Sequence, residues 1–294
     1  MLIDSLFNLF VAPFTDFLFM WRALLACIAL GLMSGPIGVL LVMRRMSLAG
    51  DAISHAVLPG VAIAYMIAGM SLPALGLGAF ISATVVALLS GAVAQYTSQK
   101  EDASLAAFYI MALALGVAMI SMQANSVNLI HLLFGNVLAV DDSGLLLVVS
   151  VTSLSLLTLA VIWRPLLMAG FDPSFLVQYG HLGRASSLVF MLLVVLAFVA
   201  SFQTLGTLMA VGLLMLPATA ARFWTKDIVG LCLIAALIAA ISAVTGLLIS
   251  FHVHVPSGPA IVLVAGALYV LSLLIGARES VWVTLRRSSR HKLS

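Results

Sequence analysis

Long apolar stretches separated by short polar connectors constrain this chain more than any other feature of its sequence. A helix needs about 20 apolar residues to cross a hydrocarbon layer about 30 Å thick. Because lipid offers no hydrogen bonds, a spanning segment must pair its own backbone groups, as a helix does. The sequence therefore predicts an all-α polytopic membrane protein with about eight or nine transmembrane helices. The predicted spans are approximately residues 20–43, 53–69, 73–96, 104–122, 144–163, 186–203, 206–222, 228–251 and 257–277.

The composition supports a membrane protein and argues against a nucleic-acid partner. Soluble domains carry about 25% charged residues, whereas only 8% of this chain is charged and 64% is hydrophobic. The 13 Lys and Arg residues lie between apolar spans and form no single patch. A net charge of +3 therefore gives no support to nucleic-acid binding. Cys27 and Cys232 each lie among aliphatic residues in the middle of a span, so we expect packed thiols and no disulfide.

The sixth and seventh predicted spans are short and almost contiguous. One straight helix over residues 186–222 would be about 55 Å long at 1.5 Å per residue, which is far more than a membrane needs. The polar segment 203–207, which contains Gly206, is the natural break between two helices. A re-entrant hairpin over the same residues is the alternative, and it would reduce the number of full crossings without changing the side on which the chain ends.

The distribution of Lys and Arg predicts the orientation in the membrane, because cytoplasmic loops are enriched in these residues. With the basic tail 278–294 inside, the basic connectors all fall on the cytoplasmic side, and Arg22 is the exception. The outer connector 122–143 carries no Lys or Arg. The prediction is an N-terminus outside and a C-terminus inside. The connectors that become cytoplasmic contain Arg44 and Arg45, Lys100, Arg164 and Arg184, and Arg222 and Lys226.

The organisation predicted from the sequence is a single transmembrane domain over residues 1–294. The sequence contains no G-x-x-x-x-G-K-[ST] loop and no polar insert longer than about 20 residues, so hydrolysis of ATP by that route is excluded for this chain. It also lacks the H-E-x-x-H zinc motif and the G-x-S-x-G nucleophile motif. These absences disfavour an enzyme, and any energy from ATP would have to come from elsewhere.

Asp51 and His55 form the strongest candidate site for chemistry. On a helix, residues four apart lie on the same face. A carboxylate oxygen and an imidazole nitrogen are ligands for divalent metals such as zinc or manganese. Pro59 follows four residues later and has no N–H, so in a helix the His55 carbonyl would lack its usual donor. Helix capping by the aspartate and a backbone hydrogen bond from the histidine are the structural alternatives.

Other histidines and two prolines are weaker candidates. His252 and His254 lie two apart at the predicted outer end of the eighth span, where they would capture metal or simply be solvated. His131 lies in the outer connector and is a candidate pathway contact. Pro36 and Pro217 fall within spans, where each frees a carbonyl four residues earlier and a kink is the simplest consequence.

The inner connector after the fifth span contains an apolar segment of unusual character. Asp172 followed by Pro173 is typical of a helix N-terminus, and Gly180 with Gly183 provides a stop. These signals predict a short cytoplasmic helix at about residues 171–183. Its exposed apolar side chains indicate either a protein partner or contact with the membrane interface.

Five separated motifs span most of the chain: MRRMSLAGDAISHAVLPGVA, HLLFGNVLAVDD (131–142), FDPSFLVQYG, LGTLMAVGLLMLPATAAR (205–222) and HVPSGPAIVLV (254–264). Together, and in this order, they resemble the permease family of ABC importers for zinc, manganese and iron. The resemblance implies a type II importer fold and a homodimer of permeases around a central pathway. It also implies two cytoplasmic ATP-binding subunits that hydrolyse ATP, and an extracytoplasmic solute-binding protein that delivers the metal.

The resemblance also implies roles for particular residues. Asp51 and His55 match positions at which the family coordinates the transported ion, and Pro59 and Pro217 fall at helix breaks along the pathway. The segment FDPSFLVQYG would be the coupling helix that docks into the ATPase. Its coupling residues would be Phe171, Asp172, Pro173, Phe175, Leu176 and Gly180. The chain would reside in the bacterial cytoplasmic membrane and hold no permanent cofactor.

The sequence favours zinc as the transported ion, with manganese next. Histidine nitrogen suits zinc, whereas oxygen ligands suit manganese. The additional pair His252 and His254 therefore favours zinc. An importer for iron, a metal chelate or a vitamin is the nearest alternative. An ATP-independent channel or carrier and a nonconducting scaffold are the alternatives from other classes.

Overall fold

The computed structural model describes residues 12–46, 48–99, 101–122, 137–171, 181–278 and 280. Within these residues the regular elements are helices, numbered here in chain order. They are α1 (Ala12–Asp16), α2 (Leu18–Met43), α3 (Ala49–Ala56), α4 (Leu58–Ala68), α5 (Leu72–Tyr96), α6 (Glu101–Ser121), α7 (Asp142–Phe171), α8 (His181–Leu205), α9 (Thr207–Ala221), α10 (Ile228–Val253) and α11 (Ser257–Ile275), with a 3-10 turn at Val137–Ala139.

Eight of the described helical segments are long and apolar enough to cross a membrane. Helices α3 and α4 together form one of them, Ala49–Ala68. The apolar stretch Met209–Ala221 in α9 is shorter. The 15 residues of α9 span about 22 Å at 1.5 Å per residue, which is less than the hydrocarbon thickness. The predicted all-helical membrane fold with eight or nine apolar helices is confirmed.

The predicted division of the sixth and seventh spans is also confirmed. Gly206 separates α8 from α9 and has a φ of 85°. This left-handed backbone conformation costs little only in a residue without a Cβ, so glycine ends one helix and lets the next begin.

Three predicted boundaries differ from the structure. The second span begins at Ala49, so Asp51 lies inside a helix, whereas hydropathy placed it before one. Helix α7 continues through Pro165 to Phe171 instead of ending near residue 163. Helix α8 begins at His181, so Gly183 lies within it and does not end the preceding segment. Hydropathy does not detect the polar ends of a helix, because it reflects transfer of side chains into lipid and not backbone conformation.

The chain divides into two compact units. The first comprises Met1–Val42, Asn136–Val149 and Gly212–Ser294, and the second comprises Met43–Gly135 and Ser150–Val211. The single domain predicted for residues 1–294 stays a prediction.

The first unit contains a glycine face on α2. A Cβ on Gly31 would lie 3.1 Å from the Cβ of Ala239, and one on Gly35 would lie 2.9 Å from the carbonyl oxygen of Cys232. Small residues let apolar helices approach each other closely and gain dispersion energy, which drives helix association in lipid. Cys27 is buried, Cys232 is half-buried and both are free thiols, as expected from the sequence.

The second unit holds α3 and α4 against α5 and α6 by similar contacts. Gly60 of α4 and Gly78 of α5 meet face to face, and a Cβ on either would overlap the other's carbonyl group. Gly116 of α6 lies against Leu58 and Pro59, where a Cβ would approach the Leu58 Cβ to 2.7 Å. These contacts hold α4, which directly follows the helix α3 that carries Asp51 and His55.

We expect Gly78→Ala to destabilise the protein by about 1–3 kcal/mol, because the added methyl group overpacks the contact with Gly60. Gly91→Ala is the matched control on the same helix, because nothing lies within 4 Å of its added Cβ. Thermal unfolding of both variants in detergent measures the difference. Equal midpoints for the two would contradict the packing described here.

Candidate functional site

Asp51 and His55 lie on one face of α3, as predicted. The Nε2 atom of His55 is 3.5 Å from Oδ1 of Asp51, and the two side chains are 38% and 53% exposed, respectively. This distance is too long for a strong hydrogen bond. The pair therefore presents an imidazole and a carboxylate side by side, with donor atoms that remain accessible within the second unit.

The backbone around the pair excludes the capping alternative for Asp51. Helix α3 has Leu48 at its N-cap position and no side-chain cap, and Asp51 is in its first turn. A carboxylate there is stabilised by the partial positive charge of the helix N-terminus. The hydroxyl of Ser54 donates to the Asp51 carbonyl at 2.7 Å, so this small polar residue is satisfied within the helix.

The helix breaks at Val57, two residues before Pro59. The hydroxyl of Ser82 on α5 donates to the Ala56 carbonyl at 2.7 Å. The N–H of Val57 donates to the His55 carbonyl, so that carbonyl does not lack a donor as the sequence had suggested. Pro59 then occupies the first turn of α4, where its missing N–H costs nothing.

Tyr109 of α6 contacts the imidazole, and sequence reasoning missed it. The two rings are nearly parallel, with centroids 6.1 Å apart and an interplanar angle of 23°. A ring beside the imidazole limits the rotamers that His55 can adopt. No local pattern in the sequence signals this contact, because it depends on how α6 packs against α3.

The pair offers a divalent ion two protein ligands. Among the residues that the structure describes, no group of three or more His, Cys, Asp or Glu side chains is arranged to hold a metal ion. A bound ion would therefore keep water molecules or take ligands from another molecule. Such incomplete coordination suits an ion that passes through, whereas closed structural zinc sites have four protein ligands.

The other predicted histidine pair lies in the first unit, where α10 ends. His252 is in the last turn of α10, and His254 follows the helix in a left-handed conformation with φ 59°. Both line an open cavity of about 660 Å³ together with Phe19, Leu138 and Pro256. Nδ1 of His252 lies 2.9 Å from the Leu248 carbonyl oxygen, and a ring nitrogen beside a carbonyl must donate.

Arg22, the exception to the predicted charge distribution, has a partner in the first unit. Its Nη2 lies 2.8 Å from both carboxylate oxygens of Asp142, the first residue of α7. The neighbouring Asp141 accepts hydrogen bonds from the Ser143 hydroxyl at 2.7 Å and the Gly144 N–H at 2.8 Å. These donors hold the pKa of the Asp141 carboxyl below its usual range.

The remaining predicted site residues are placed as follows. Pro36 and Pro217 lie inside α2 and α9, as expected. Phe171 is the last residue of α7. His131 lies outside the described residues, and so do Asp172, Pro173, Phe175, Leu176 and Gly180 of the predicted coupling helix. Their assignments stay predictions.

Comparison with known proteins gives a consistent result. Residues 16–276 match the model of the ABC 3 transport family. The manganese transport system membrane protein MntC of Halalkalibacterium halodurans is 37% identical over 93% of each chain. The chelated iron transport system membrane protein YfeD of Yersinia pestis is 30% identical over 92% of this chain and 90% of the relative. The zinc transport system membrane protein TroC of Treponema pallidum is 32% identical over 92% and 94%.

A solved structure has the same fold. PsaBC from Streptococcus pneumoniae, in complex with Fab, aligns with a TM-score of 0.79 and 30% sequence identity. The alignment covers 95% of this chain and 97% of that one.

The acid stability of the wild type should depend on Asp141. Because the pKa of Asp141 is lowered on folding, its stabilising effect is present above its unfolded pKa of about 3.9 and is lost as the pH falls below it. Asp141→Asn keeps a capping side chain but removes the titration. We expect the thermal unfolding midpoint of the wild type to fall more steeply than that of Asp141→Asn between about pH 5 and 3. Parallel curves for the two proteins would refute this role.

Proposed function

The chain belongs to the ABC 3 transport family, and from this membership we propose that it is the permease subunit of an ATP-binding-cassette importer for a divalent transition metal ion. It is a transport subunit and not an enzyme, in keeping with relatives named as membrane proteins of transport systems. A separate ATP-binding subunit hydrolyses ATP.

The observation that carries the proposal is the accessible Asp51 and His55 pair within a membrane-spanning segment. Apart from Ser54 and Tyr65, the rest of the segment Ala49–Ala68 is apolar. An ionisable pair inside such a span is costly unless it faces protein or water. One oxygen and one nitrogen donor, with no third ligand among the described residues, hold an ion loosely. Loose coordination lets a transport site release its ion on the other side.

A second copy of the chain completes this site. Leu48, Asp51 and His55 are spaced three and four residues apart, so they share a face of α3, and all three side chains are accessible. A half-exposed carboxylate facing lipid would be strongly unfavourable, whereas a two-fold axis beside this face would bring two Asp51 and His55 pairs together. A homodimer thus encloses the ion pathway between two permeases.

The remaining parts of the importer follow from the family. An extracytoplasmic solute-binding protein releases the ion into the pathway, and the predicted coupling segment between α7 and α8 carries the motion of the ATP-binding subunits to the spans. ATP binding and hydrolysis then switch the dimer between outward-open and inward-open states. The bacterial relatives support a location in the cytoplasmic membrane. The distribution of Lys and Arg supports an N-terminus outside and a basic tail inside.

Zinc is the ion favoured by the chain's own residues, and manganese is the second candidate. One Asp and one His stand between the preferences of the two ions. His252 and His254 add imidazole nitrogen, which suits zinc. Manganese is supported by the 37% identity with the manganese transport protein from H. halodurans.

The direct test is uptake by proteoliposomes that contain the permease, its ATP-binding subunit and its solute-binding protein. We expect ATP-dependent uptake of zinc in competition with manganese, and a loss of about 10-fold or more in Asp51→Ala and His55→Ala, because each variant removes one of the two ligands. Ser54→Ala is the matched control on the same helix, because its buried hydroxyl donates to the Asp51 backbone carbonyl and is not a proposed ligand. Uptake by His55→Ala at the wild-type rate would rule out the site, and uptake without the ATP-binding subunit would indicate a channel.

Chemical cross-linking tests the dimer face. In a variant with Cys27 and Cys232 replaced by alanine, Leu48→Cys should give a covalent dimer with a short bis-maleimide, because Leu48 lies on the face of Asp51 and is 54% exposed. Val161→Cys on α7 is the control, since Val161 is 81% exposed and lies on a different helix. Equal dimer yields from both variants would contradict the proposed face.

A further inference from the structure

We propose that His252 and His254 form a metal-receiving site in the cavity at the end of α10, distinct from the Asp51 and His55 pair. The inference deepens the proposed function, because it names where the chain first takes up the ion. It rests on that function only for the identity of the ion, since binding at this cavity is measured without transport.

A hydrogen bond to the backbone fixes the His252 ring in the way that is usual for a metal ligand. A ligating histidine nearly always donates its second ring N–H to a carbonyl or carboxylate, which fixes the tautomer and the plane of the ring. Nδ1 of His252 lies 2.9 Å from the Leu248 carbonyl oxygen and is therefore the donor. The lone pair is then on Nε2. The Phe251 ring meets the imidazole edge to face, with centroids 5.4 Å apart, and further limits its motion.

The backbone after α10 brings the second histidine to the same cavity. His254 has a φ of 59°, a conformation that non-glycine residues adopt rarely and that ends the helix. The Ser250 hydroxyl donates to the Val255 carbonyl at 2.7 Å and ties this turn to the helix. A turn that holds a strained residue in place often serves a binding site. Here it leaves His252 and His254 lining one open cavity of about 660 Å³.

The electrostatic surroundings permit a cation at this cavity. No Lys or Arg is among the described residues that line it. Arg22, which belongs to the same unit, has its Nη2 2.8 Å from both carboxylate oxygens of Asp142, and this pairing neutralises its charge. Two imidazoles in an open cavity leave several positions for water, so the site accepts an ion and passes it on.

The predicted topology places this cavity at the outer end of the first unit, where an ion would be delivered. Leu138, which lines the cavity, lies in the predicted outer connector. Within the same unit, the Arg278 N–H donates to the Phe223 carbonyl at 2.8 Å, which joins two basic connectors that are both predicted to be cytoplasmic. His252 and His254 are therefore at the predicted outer end of the unit, where a solute-binding protein would release its ion.

The test uses the full chain in nanodiscs with Asp51→Ala and His55→Ala already introduced, so that the proposed transport site no longer contributes. Zinc binding is measured by equilibrium dialysis, and the zinc ligands are counted by X-ray absorption. We expect this background protein to bind one zinc ion through two imidazoles. Adding His252→Gln or His254→Gln should weaken binding by about 10-fold or more and leave one imidazole.

His181→Gln is the matched control, because it makes the same chemical change at the start of α8. Thermal unfolding establishes that each variant is folded before its binding is compared. Zinc binding that is unaffected by His252→Gln and His254→Gln, or that involves no imidazole in the background protein, would overturn the proposal. A loss of uptake in Asp51→Ala with zinc still bound at the cavity would separate the two sites experimentally.

Discussion

The cost of an ionisable pair inside an apolar span is the constraint on which the rest of the structure depends. Asp51 and His55 lie in the segment Ala49–Ala68 and remain accessible, so the surrounding helices must hold them in one place and keep them from lipid. A glycine contact packs α4 against α5. A hydrogen bond from Ser82 of α5 to the Ala56 carbonyl holds the end of α3. The polar face of α3 remains accessible, so a second protein surface would be needed to keep Asp51 and His55 from lipid.

The two proposed sites that contain histidine would both coordinate an ion incompletely. Each offers two side chains, so a divalent metal bound there would keep water in its remaining positions. A transporter gains from such weak sites, because tight four-ligand binding would trap its cargo. The sites differ in their donors: one combines a carboxylate with an imidazole, and the other has two imidazoles. The transported ion would therefore meet nitrogen ligands first and a mixed pair afterwards.

Much of the fold could be predicted from hydropathy alone, because transfer into lipid depends on composition over about 20 residues. Helix ends were less predictable. Pro165 does not end α7, and polar residues before Ile53 belong to α3, since backbone hydrogen bonding continues where apolar character fades. The assignment of Asp51 and His55 as ligands came from helical spacing and family resemblance. Two further assignments stay predictions from the sequence. They are the coupling helix between α7 and α8 and the role of His131.

By itself, the sequence determined the apolar helices, the break at Gly206 and the one-turn spacing that puts Asp51 beside His55. These features are local, because they depend on residues within a few turns of each other. Only the tertiary structure decided that Tyr109 stacks on His55, that Arg22 pairs with Asp142 and that His252 shares a cavity with Leu138. Such contacts join residues far apart in the chain, and helix packing selects them by shape, which no single stretch of sequence encodes.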